Sequence, residues 1–234
     1  MKPIAIFRHF AVEGPGYLAT LLDRHGLPWV LVAVDAGDPL PATAHDFSGL
    51  IFMGGPMSVN DDLPWIEHAL NLIREAVAAD IPVMGHCLGG QLMAKALGGV
   101  VSRNPIKEIG WGQVDAVNTP VTSDWMGHLP SFIAFHWHGE TFSLPPNATC
   151  ILTNAHCTHQ AFVFGPHLGM QCHIEMTDTM IEDWCEVGAE EISASNSPAV
   201  QTPDEIRAHK AAMLPQLHTV ADALYTRWIS RLKS

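Results

Sequence analysis

Apolar runs of strand length alternate with stretches of helical periodicity through the first hundred residues of the chain. The apolar runs predict strands at residues 3–10, 29–35, 47–55 and 81–86. The periodic stretches predict helices at residues 16–26, 65–79 and 88–97. Strands that alternate with helices in this order are typical of a parallel sheet covered by helices on both faces.

Beyond about residue 100 the pattern becomes one of short strand-like segments separated by turn residues. These segments are EIGWGQVDAV (108–117), SFIAFHWH (131–138), TCILTN (149–154), QAFVFG (160–165) and LGMQCHIE (168–175). Helical periodicity returns at roughly 177–190 and roughly 204–231, on either side of a break at 193–203. No linker-like composition divides the two halves, so we expect a single α/β domain spanning residues 1–234.

Composition narrows the classes of function. The net charge of −12 argues against nucleic acid or an anionic membrane as the main partner. No apolar run is long enough to cross a bilayer, and the first residues lead into a strand rather than resembling a secretion leader. The five cysteines are an odd number and include no CxxC pair, which favours free thiols in a reducing, cytoplasmic location.

Fourteen histidines raise the question of a metal ion. The HWH sequence at 136–138 and the remaining histidines form no HExxH motif and no Cys/His zinc spacing. From this spacing we expect no metal site.

One cysteine lies in a sequence context typical of a nucleophile. Cys87 follows a predicted strand, precedes a predicted helix, and has Gly85 and Gly89 two residues away on either side. Glycines at these positions let the backbone turn sharply and expose the thiol at a helix N-terminus, whose partial charge favours the thiolate. The amide of Leu88 would point towards an oxyanion formed on an attacked carbonyl. The alternative is a small buried cysteine in a glycine-rich turn.

A nucleophilic thiol needs a base, and the base needs an orienting group. His173 and Glu175 lie two residues apart on a predicted strand and so should face the same side. Glu175 could then accept the Nδ1 proton of His173 and leave Nε2 for Cys87. By the same alternation Cys172 should face away, as a core thiol. The alternative is a solvent-facing His–Glu pair at a strand end.

Four motifs occur together: GGPMS (54–58), GHCLGGQ (85–91), WHGETF (137–142) and QCHIE (171–175). Their sequences, order and approximate spacing resemble the class I (triad) glutamine amidotransferases over roughly residues 45–185. The resemblance is strongest to the stand-alone group similar to the amidotransferase part of GMP synthase, which NPIKEIGW (104–111) also fits. It implies a flavodoxin-like, mostly parallel sheet with helices on both faces and an antiparallel region in the second half.

The resemblance also implies roles for single residues. Cys87 would be the nucleophile, His173 the general base and acid, and Glu175 its orienting group. Gly55 and Leu88 would supply the amides of the oxyanion hole. The implied substrate contacts are Gly54, Gln91, His138, Gly139 and Glu140.

Two positions depart from the family pattern. Ile174 stands where the family usually has proline, which changes local rigidity and removes no chemical group. His86 stands before the nucleophile, where a small or branched apolar residue is common. Strand alternation turns His86 away from Cys87, so we do not expect it to act as a second base.

The implied reaction releases glutamate and ammonia from glutamine through a γ-glutamyl thioester and needs no metal or organic cofactor. The chain contains no SGGxDS-like or P-loop stretch that would use ammonia, so an amidotransferase would need a separate synthetase subunit. The same triad could instead hydrolyse γ-glutamyl peptides or conjugates. A non-catalytic binding module on the same fold is a further alternative.

Dinucleotide binding is another alternative, because GPGYLA (14–19) fits GxGxxA and Asp35 ends the next predicted strand. The glycines, however, follow the strand by several residues, and Pro15 stiffens a turn that would have to wrap around pyrophosphate. This loop is therefore expected to form a rim of the amide-hydrolysing site.

Overall fold

The computed structural model describes residues 1–233. The strands are β1 (Ile4–Arg8), β2 (Trp29–Ala33), β3 (Gly49–Phe52), β4 (Val83–His86), β5 (Val101–Ala116), β6 (Ser131–Phe142), β7 (Thr149–Thr153), β8 (Ala161–Phe164), β9 (His167–Met170) and β10 (Ala199–Val200). The α-helices are α1 (Tyr17–Arg24), α2 (Pro64–Ala78), α3 (Leu88–Ala96), α4 (Pro120–Met126), α5 (Asp178–Val187), α6 (Ala189–Ser193) and α7 (Pro203–Ile229).

These strands form one sheet in the order β10-β5-β7-β8-β9-β4-β3-β1-β2, with β6 paired to β5 outside this path. The pairs β2–β1, β1–β3, β3–β4, β4–β9 and β10–β5 are parallel. From β9 onwards the pairs β9–β8, β8–β7, β7–β5 and β5–β6 are antiparallel. The predicted parallel sheet with an antiparallel region in the second half is confirmed.

Helices cover both faces of the sheet. Along β1, Ile4 and Ile6 enter one buried apolar cluster, whereas Ala5 and Phe7 enter the other. The first cluster includes side chains of α1, α5 and α7, and the second includes those of α2 and α3. A strand buried on both sides needs apolar residues at successive positions, which explains the continuous apolar runs of β1, β3 and β4. Strand β2, at the edge of the sheet, is partly exposed despite its apolar run. The single continuous sheet supports the prediction that residues 1–234 form one domain. The domain assignment itself stays a prediction.

Several predicted boundaries are wrong. Strand β2 ends at Ala33 and is followed by a 3₁₀ turn, Val34–Ala36, that closes on Gly37 with φ +91°. Strand β9 ends at Met170, so the predicted strand over 168–175 includes the end of β9 and an irregular segment that follows it. Beyond it His173 forms an isolated bridge with Phe135 of β6, because the chain leaves the sheet there and crosses towards β6.

The helical regions also differ in detail from the predictions. Helix α4 was not predicted, since its seven residues are too few to show helical periodicity; Thr119 caps it by accepting a hydrogen bond from the Thr122 amide. The predicted helix at 177–190 is split at Gly188 into α5 and α6.

Helix α7 is the longest helix and begins at a capping box in which Thr202 and Glu205 exchange hydrogen bonds. Its buried residues, which include Tyr225 and Trp228, pack on the same face of the sheet as α1 and α5. Within residues 1–233, no helix combines the length and the apolar character that a membrane crossing requires.

Candidate active site

Cys87 occupies a sharp turn between a strand and a helix. Strand β4 ends at His86, α3 begins at Leu88, and Cys87 between them has φ +49° and ψ −106°. A positive φ is uncommon for a residue with a side chain, and such outliers concentrate at functional sites. The turn therefore holds the thiol in a conformation that only the surrounding packing can maintain.

Two glycines make this turn sterically possible. A Cβ on Gly85 would lie 2.3 Å from the carbonyl carbon of Gly89. A Cβ on Gly89 would lie 1.9 Å from the backbone oxygen of Phe52 on β3. The expected close approach of the backbone on both sides of the cysteine is confirmed.

His173 and Glu175 form a hydrogen-bonded pair next to the thiol. The Nδ1 of His173 lies 2.6 Å from Oε1 of Glu175, and both side chains are about 1% exposed. Burial by itself would lower the pKa of the His173 imidazole, but the Glu175 charge and the Cys87 thiol raise it well above its ordinary value. Burial would raise the pKa of Glu175, but His173 and His86 lower it to about 2. Glu175 is thus ionised and His173 is strongly basic.

His86 lies behind this pair. Its Nε2 is 2.8 Å from the hydroxyl of Tyr225 on α7 and 3.7 Å from Oε2 of Glu175. Burial lowers the pKa of the His86 imidazole. His86 therefore contacts Glu175 and Tyr225.

The residues predicted for the oxyanion hole lie at adjacent turns. Leu88 is the first residue of α3, where backbone amides have no partner within the helix. Gly55 follows β3, and a Cβ there would lie 2.9 Å from a side-chain methyl of Leu88. A Cβ on Gly54 would lie 2.1 Å from Oε2 of Glu13 and 3.3 Å from Cε1 of His173. The glycine pair therefore brings its backbone close to the triad.

Four of the five predicted substrate contacts line a cleft that opens at Cys87, whereas Gly54 is not among its lining residues. Gln91, His138, Gly139 and Glu140 all border it. Glu140 accepts a hydrogen bond of 2.9 Å from the Ser58 hydroxyl, which joins two walls of the cleft. The imidazole of His138, in contrast, extends towards Glu108, with Nε2 at 3.1 Å from Oε2.

A sequence model of the class I glutamine amidotransferases matches residues 19–183. The chain belongs to this family. It is 31% identical over 210 residues to the glutamine amidotransferase-like protein YfeJ of Salmonella typhimurium, covering 86% of this chain and 87% of that one. It is 31% identical over 137 residues to a glutamine-hydrolysing GMP synthase subunit of Sulfolobus acidocaldarius, covering 57% and 70% of the two chains.

Solved structures agree with this family assignment. A glutamine amidotransferase from Methylobacillus flagellatus superposes with a TM-score of 0.96 at 44% identity, covering 100% of this chain and 96% of the other. A glutamine amidotransferase from Thermotoga maritima superposes with a TM-score of 0.87 at 26% identity, covering 97% and 98%. Family membership indicates an amide-hydrolysing enzyme of the glutamine-dependent class and the flavodoxin-like fold.

The amidotransferase cleft has a volume of about 1000 Å³. Its rim includes Arg103, Lys107 and Glu191, and Lys107 pairs with Glu191 at 2.5 Å across the opening. Glu191 also accepts a hydrogen bond of 2.8 Å from the Trp137 indole. Clefts that hold drug-sized ligands have volumes of about 300–1,000 Å³, so this one has room for more than a glutamine molecule.

The GPGYLA loop supports the triad. Gly16 has φ +50°, and a Cβ there would lie 2.2 Å from the backbone oxygen of Glu175. That oxygen accepts a hydrogen bond of 2.8 Å from the Tyr17 amide. Asp35, the residue that suggested a ribose contact, is held by a two-pronged ion pair with Arg8. The loop thus packs against the backbone of Glu175, but residues 14–19 are not among the residues that line the cleft, so its role as a rim stays a prediction.

Two further side chains at the site were missed from the sequence. Gln171 is fully buried; its amide nitrogen lies 3.4 Å from the Cys87 sulfur, and its oxygen accepts a hydrogen bond of 3.1 Å from Gln91. Its position two residues before His173 was the available signal. Glu13 borders the cleft next to Gly54, and burial raises the pKa of its carboxyl to about 7. No sequence pattern links Glu13 to the triad.

A cluster of three chemically active side chains also escaped sequence reasoning. Ligand atoms of Glu108, His136 and His138 all lie within 4.8 Å of one another. Motif spacing along the chain did not reveal them, because the glutamate comes from β5 and the histidines from β6. An HxH pair on a strand facing a glutamate on the neighbouring strand is the pattern that would have found them.

Proposed function

We propose that the protein hydrolyses the γ-carboxamide of glutamine to glutamate and ammonia. In this proposal Cys87 is the nucleophile, His173 the general base and acid, and Glu175 the group that orients His173. The observation that carries it is the buried 2.6 Å hydrogen bond between His173 and Glu175, next to a thiol on a strand–helix turn. A nucleophile, a base and an orienting group are the parts that thiol-based amide hydrolysis needs.

The reaction begins with transfer of the Cys87 proton to Nε2 of His173 and attack of the sulfur on the amide carbon. The amides of Gly55 and Leu88 stabilise the negative charge on the carbonyl oxygen. His173 then donates its proton to the departing nitrogen, the C–N bond breaks, and ammonia leaves a γ-glutamyl thioester. Water gives a proton to His173 and attacks the thioester, the C–S bond breaks, and glutamate leaves as the thiol regains its proton.

The proposed substrate wall consists of Gly54, Gln91 and the segment His138–Gly139–Glu140. Glu140 is the cleft carboxylate suited to the α-ammonium group of the substrate, because it lies at the cleft and is held by Ser58. Gln91 is fixed by Gln171 at the base of the cleft, next to the sulfur.

Hydrolysis of γ-glutamyl peptides or conjugates is the second candidate, and the size of the cleft favours it. Arg103 and Lys107 add charged groups to the rim of the cleft, which a larger charged substrate would contact. A γ-glutamyl conjugate would use space that glutamine leaves empty.

A separate synthetase subunit is the proposed partner for ammonia transfer. Similarity to chains whose names describe one subunit of a glutamine-hydrolysing GMP synthase supports a division of this kind. The open side of the cleft is the surface that such a partner would cover. Five free cysteines support a reducing, cytoplasmic location.

The decisive experiment measures glutamate release from glutamine and, in parallel, from γ-glutamyl dipeptides. We expect release from glutamine that disappears in Cys87→Ser, whereas Cys150→Ser, which alters a half-buried thiol on β7 outside the cleft lining, should retain it. Cleavage of dipeptides alone would assign the protein to the peptidase class. No turnover of either substrate, even with a synthetase partner present, would favour the binding-module alternative.

A further inference from the structure

Glu108, His136 and His138 form a polar cluster inside the antiparallel part of the sheet, apart from the triad. Their exposed fractions are 3%, 1% and 5%. Glu108 and His138 are register partners across β5 and β6, and His136 lies two residues before His138 on the same strand. Residues two apart on a strand share a face, so both imidazoles point to the side of the sheet that holds the glutamate.

The hydrogen bonds of His138 determine which of its ring nitrogens carries a proton. Nδ1 lies 3.0 Å from the backbone oxygen of Glu140. A carbonyl oxygen only accepts, so Nδ1 must be the donor. In a neutral ring Nε2 then presents a lone pair, and it lies 3.1 Å from Oε2 of Glu108. Two lone pairs at this distance repel unless a cation lies with them.

The same reasoning applies to His136. Its Nε2 lies 3.3 Å from the backbone oxygen of Gly112, so this nitrogen is the donor. Nδ1 therefore carries a lone pair, and this buried atom has no hydrogen-bond partner within residues 1–233. Gly112 leaves room for the ring, since a Cβ there would lie 3.1 Å from Nε2. Protonation of His138 would pair it with Glu108 and still leave His136 Nδ1 unsatisfied.

The carboxylate of Glu108 is also fixed from outside the cluster. Asn154 donates to Oε1 at 2.6 Å, and Gln160 donates to Oε2 at 2.9 Å. Metal-ligating histidines usually donate their second ring N–H to a carbonyl, and ligating carboxylates accept further hydrogen bonds of this kind. All three side chains of the cluster have these supporting contacts.

We propose that Glu108, His136 and His138 bind one divalent transition-metal ion, with Zn²⁺ the cation that best suits two imidazoles and a carboxylate. The ligands are His136 Nδ1, His138 Nε2 and a Glu108 oxygen, and water takes the fourth position. Tetrahedral ligands at about 2.1 Å from one ion lie about 3.4 Å apart. The ligand atoms of the cluster lie within 4.8 Å of one another, so binding would draw them inward by up to about 1.4 Å through rotation of the side chains.

The ion would join β5 to β6 beside the cleft. The β5–β6 ladder shifts its register between Arg103 and Glu108, so the cluster lies where backbone pairing resumes. Trp137, between the two histidines, has its carbonyl 3.7 Å from the Cys87 sulfur. A metal at this point would stabilise the strand that forms one wall of the cleft. This role does not depend on which amide the triad hydrolyses.

The test uses the full chain in a Cys87→Ser background, because a reactive thiol next to a histidine can itself bind zinc. The protein is stripped with a chelator, dialysed against Zn²⁺ and analysed for metal by mass spectrometry. We expect about one zinc per chain, reduced at least tenfold in His136→Phe. The matched control His159→Gln alters a partly exposed histidine outside the cluster and should retain the zinc.

Cobalt substitution of the same Cys87→Ser protein gives a second measurement. It does not depend on whether a variant of the cluster folds. We expect visible d–d bands of a nitrogen- and oxygen-ligated ion, without a thiolate-to-cobalt charge-transfer band. Absence of bound zinc, equal zinc in His136→Phe and its parent, or a thiolate band would each overturn the proposal. The first of these results would leave the cluster as a metal-free group of hydrogen-bonded side chains.

Discussion

At the scale of single residues, two carboxyl groups near His173 have opposite charge preferences. Glu175 is held as a carboxylate with a pKa of about 2, because His173 and His86 outweigh the effect of its burial. Glu13 lies near the same imidazole, next to Gly54, and burial raises its pKa to about 7. One carboxylate thus stabilises the imidazolium throughout the working pH range, whereas the other is neutral in the acidic half of that range.

Removal of the Glu175 charge should disable the base. In Glu175→Gln, His173 loses both the partner that orients Nδ1–H and the charge that raises its pKa. We expect kcat for glutamate release to fall about 10³- to 10⁴-fold, as in other triads that lose the orienting carboxylate. Steady-state kinetics measure this. Glu182→Gln, a surface carboxylate paired with Arg207, should remain within twofold of the unaltered enzyme; equal losses in both variants would contradict the assignment.

Glu13 should make the stability of the protein depend on pH. Its folded pKa of about 7 lies above its ordinary value of 4.5, so its favourable contribution is complete below pH 4.5 and is lost as the pH rises through 7. Glu13→Gln cannot ionise. The variant should therefore gain up to about 3 kcal/mol over the unaltered protein between pH 4.5 and pH 8.

Urea unfolding at both pH values measures this difference. Glu67→Gln, on the exposed face of α2, serves as the control and should change the unfolding free energy little at either pH. A Glu13→Gln advantage that is the same at both pH values would show that Glu13 does not titrate in this range.

At the scale of elements, the β4–α3 turn depends on contacts between backbones. Gly89 lies against the carbonyl of Phe52, and the missing side chain there lets the first turn of α3 approach β3. The close packing of α3 on β3 also sets the orientation of the Leu88 amide and places the Cys87 sulfur at the cleft. The position of the Cys87 thiol is therefore a consequence of how closely a helix can pack on its sheet.

Gly89→Ala should separate α3 from β3. Its Cβ would meet the Phe52 oxygen at 1.9 Å, and backbone cannot move aside cheaply. We expect a loss of about 1–3 kcal/mol in the free energy of unfolding and a fall in kcat. Denaturant titration and glutamine assays measure the two effects. Gly14→Ala has no atom within 4 Å of the new Cβ and should leave stability within about 0.5 kcal/mol; similar losses in both would contradict this packing argument.

At the scale of the whole molecule, the C-terminal helix reaches the triad from far along the chain. The Tyr225 hydroxyl of α7 meets His86 at 2.8 Å, and His86 in turn contacts Glu175. Tyr225 is fully buried on the face of the sheet that α1, α5 and α7 cover. Docking of α7 therefore completes the surroundings of the orienting carboxylate.

Tyr225→Phe should weaken both the fold and the reaction. The change leaves buried Nε2 of His86 without its partner, which costs about 1–3 kcal/mol of stability. Because Tyr225 is not part of the cleft, we expect kcat to fall while KM for glutamine stays unchanged. Tyr17→Phe removes the other tyrosine hydroxyl, which bonds Asp222 near the surface, and should leave kcat unaltered. A rise in KM in Tyr225→Phe would place its effect on binding instead.

The sequence predicted the parts of the site that lie within a few residues of each other. Glycines two residues from Cys87 imply a sharp turn because the reason is local sterics, and the structure has that turn. His173 and Glu175 meet as predicted although their segment is an isolated bridge rather than a strand. Apolar runs also predicted the buried parallel strands. Successive side chains of a strand point to opposite faces of the sheet, so a strand buried on both faces has a continuous apolar run.

Tertiary structure alone decided the contacts that join distant segments. Glu13 lies near His173 because the loop that follows β1 passes next to Gly54, beside the imidazole. Tyr225 meets His86 across 139 residues, and Glu108 meets His138 only in one register of β5 and β6. The packing of the whole core sets strand order and register. The sequence immediately around these residues therefore does not predict their contacts.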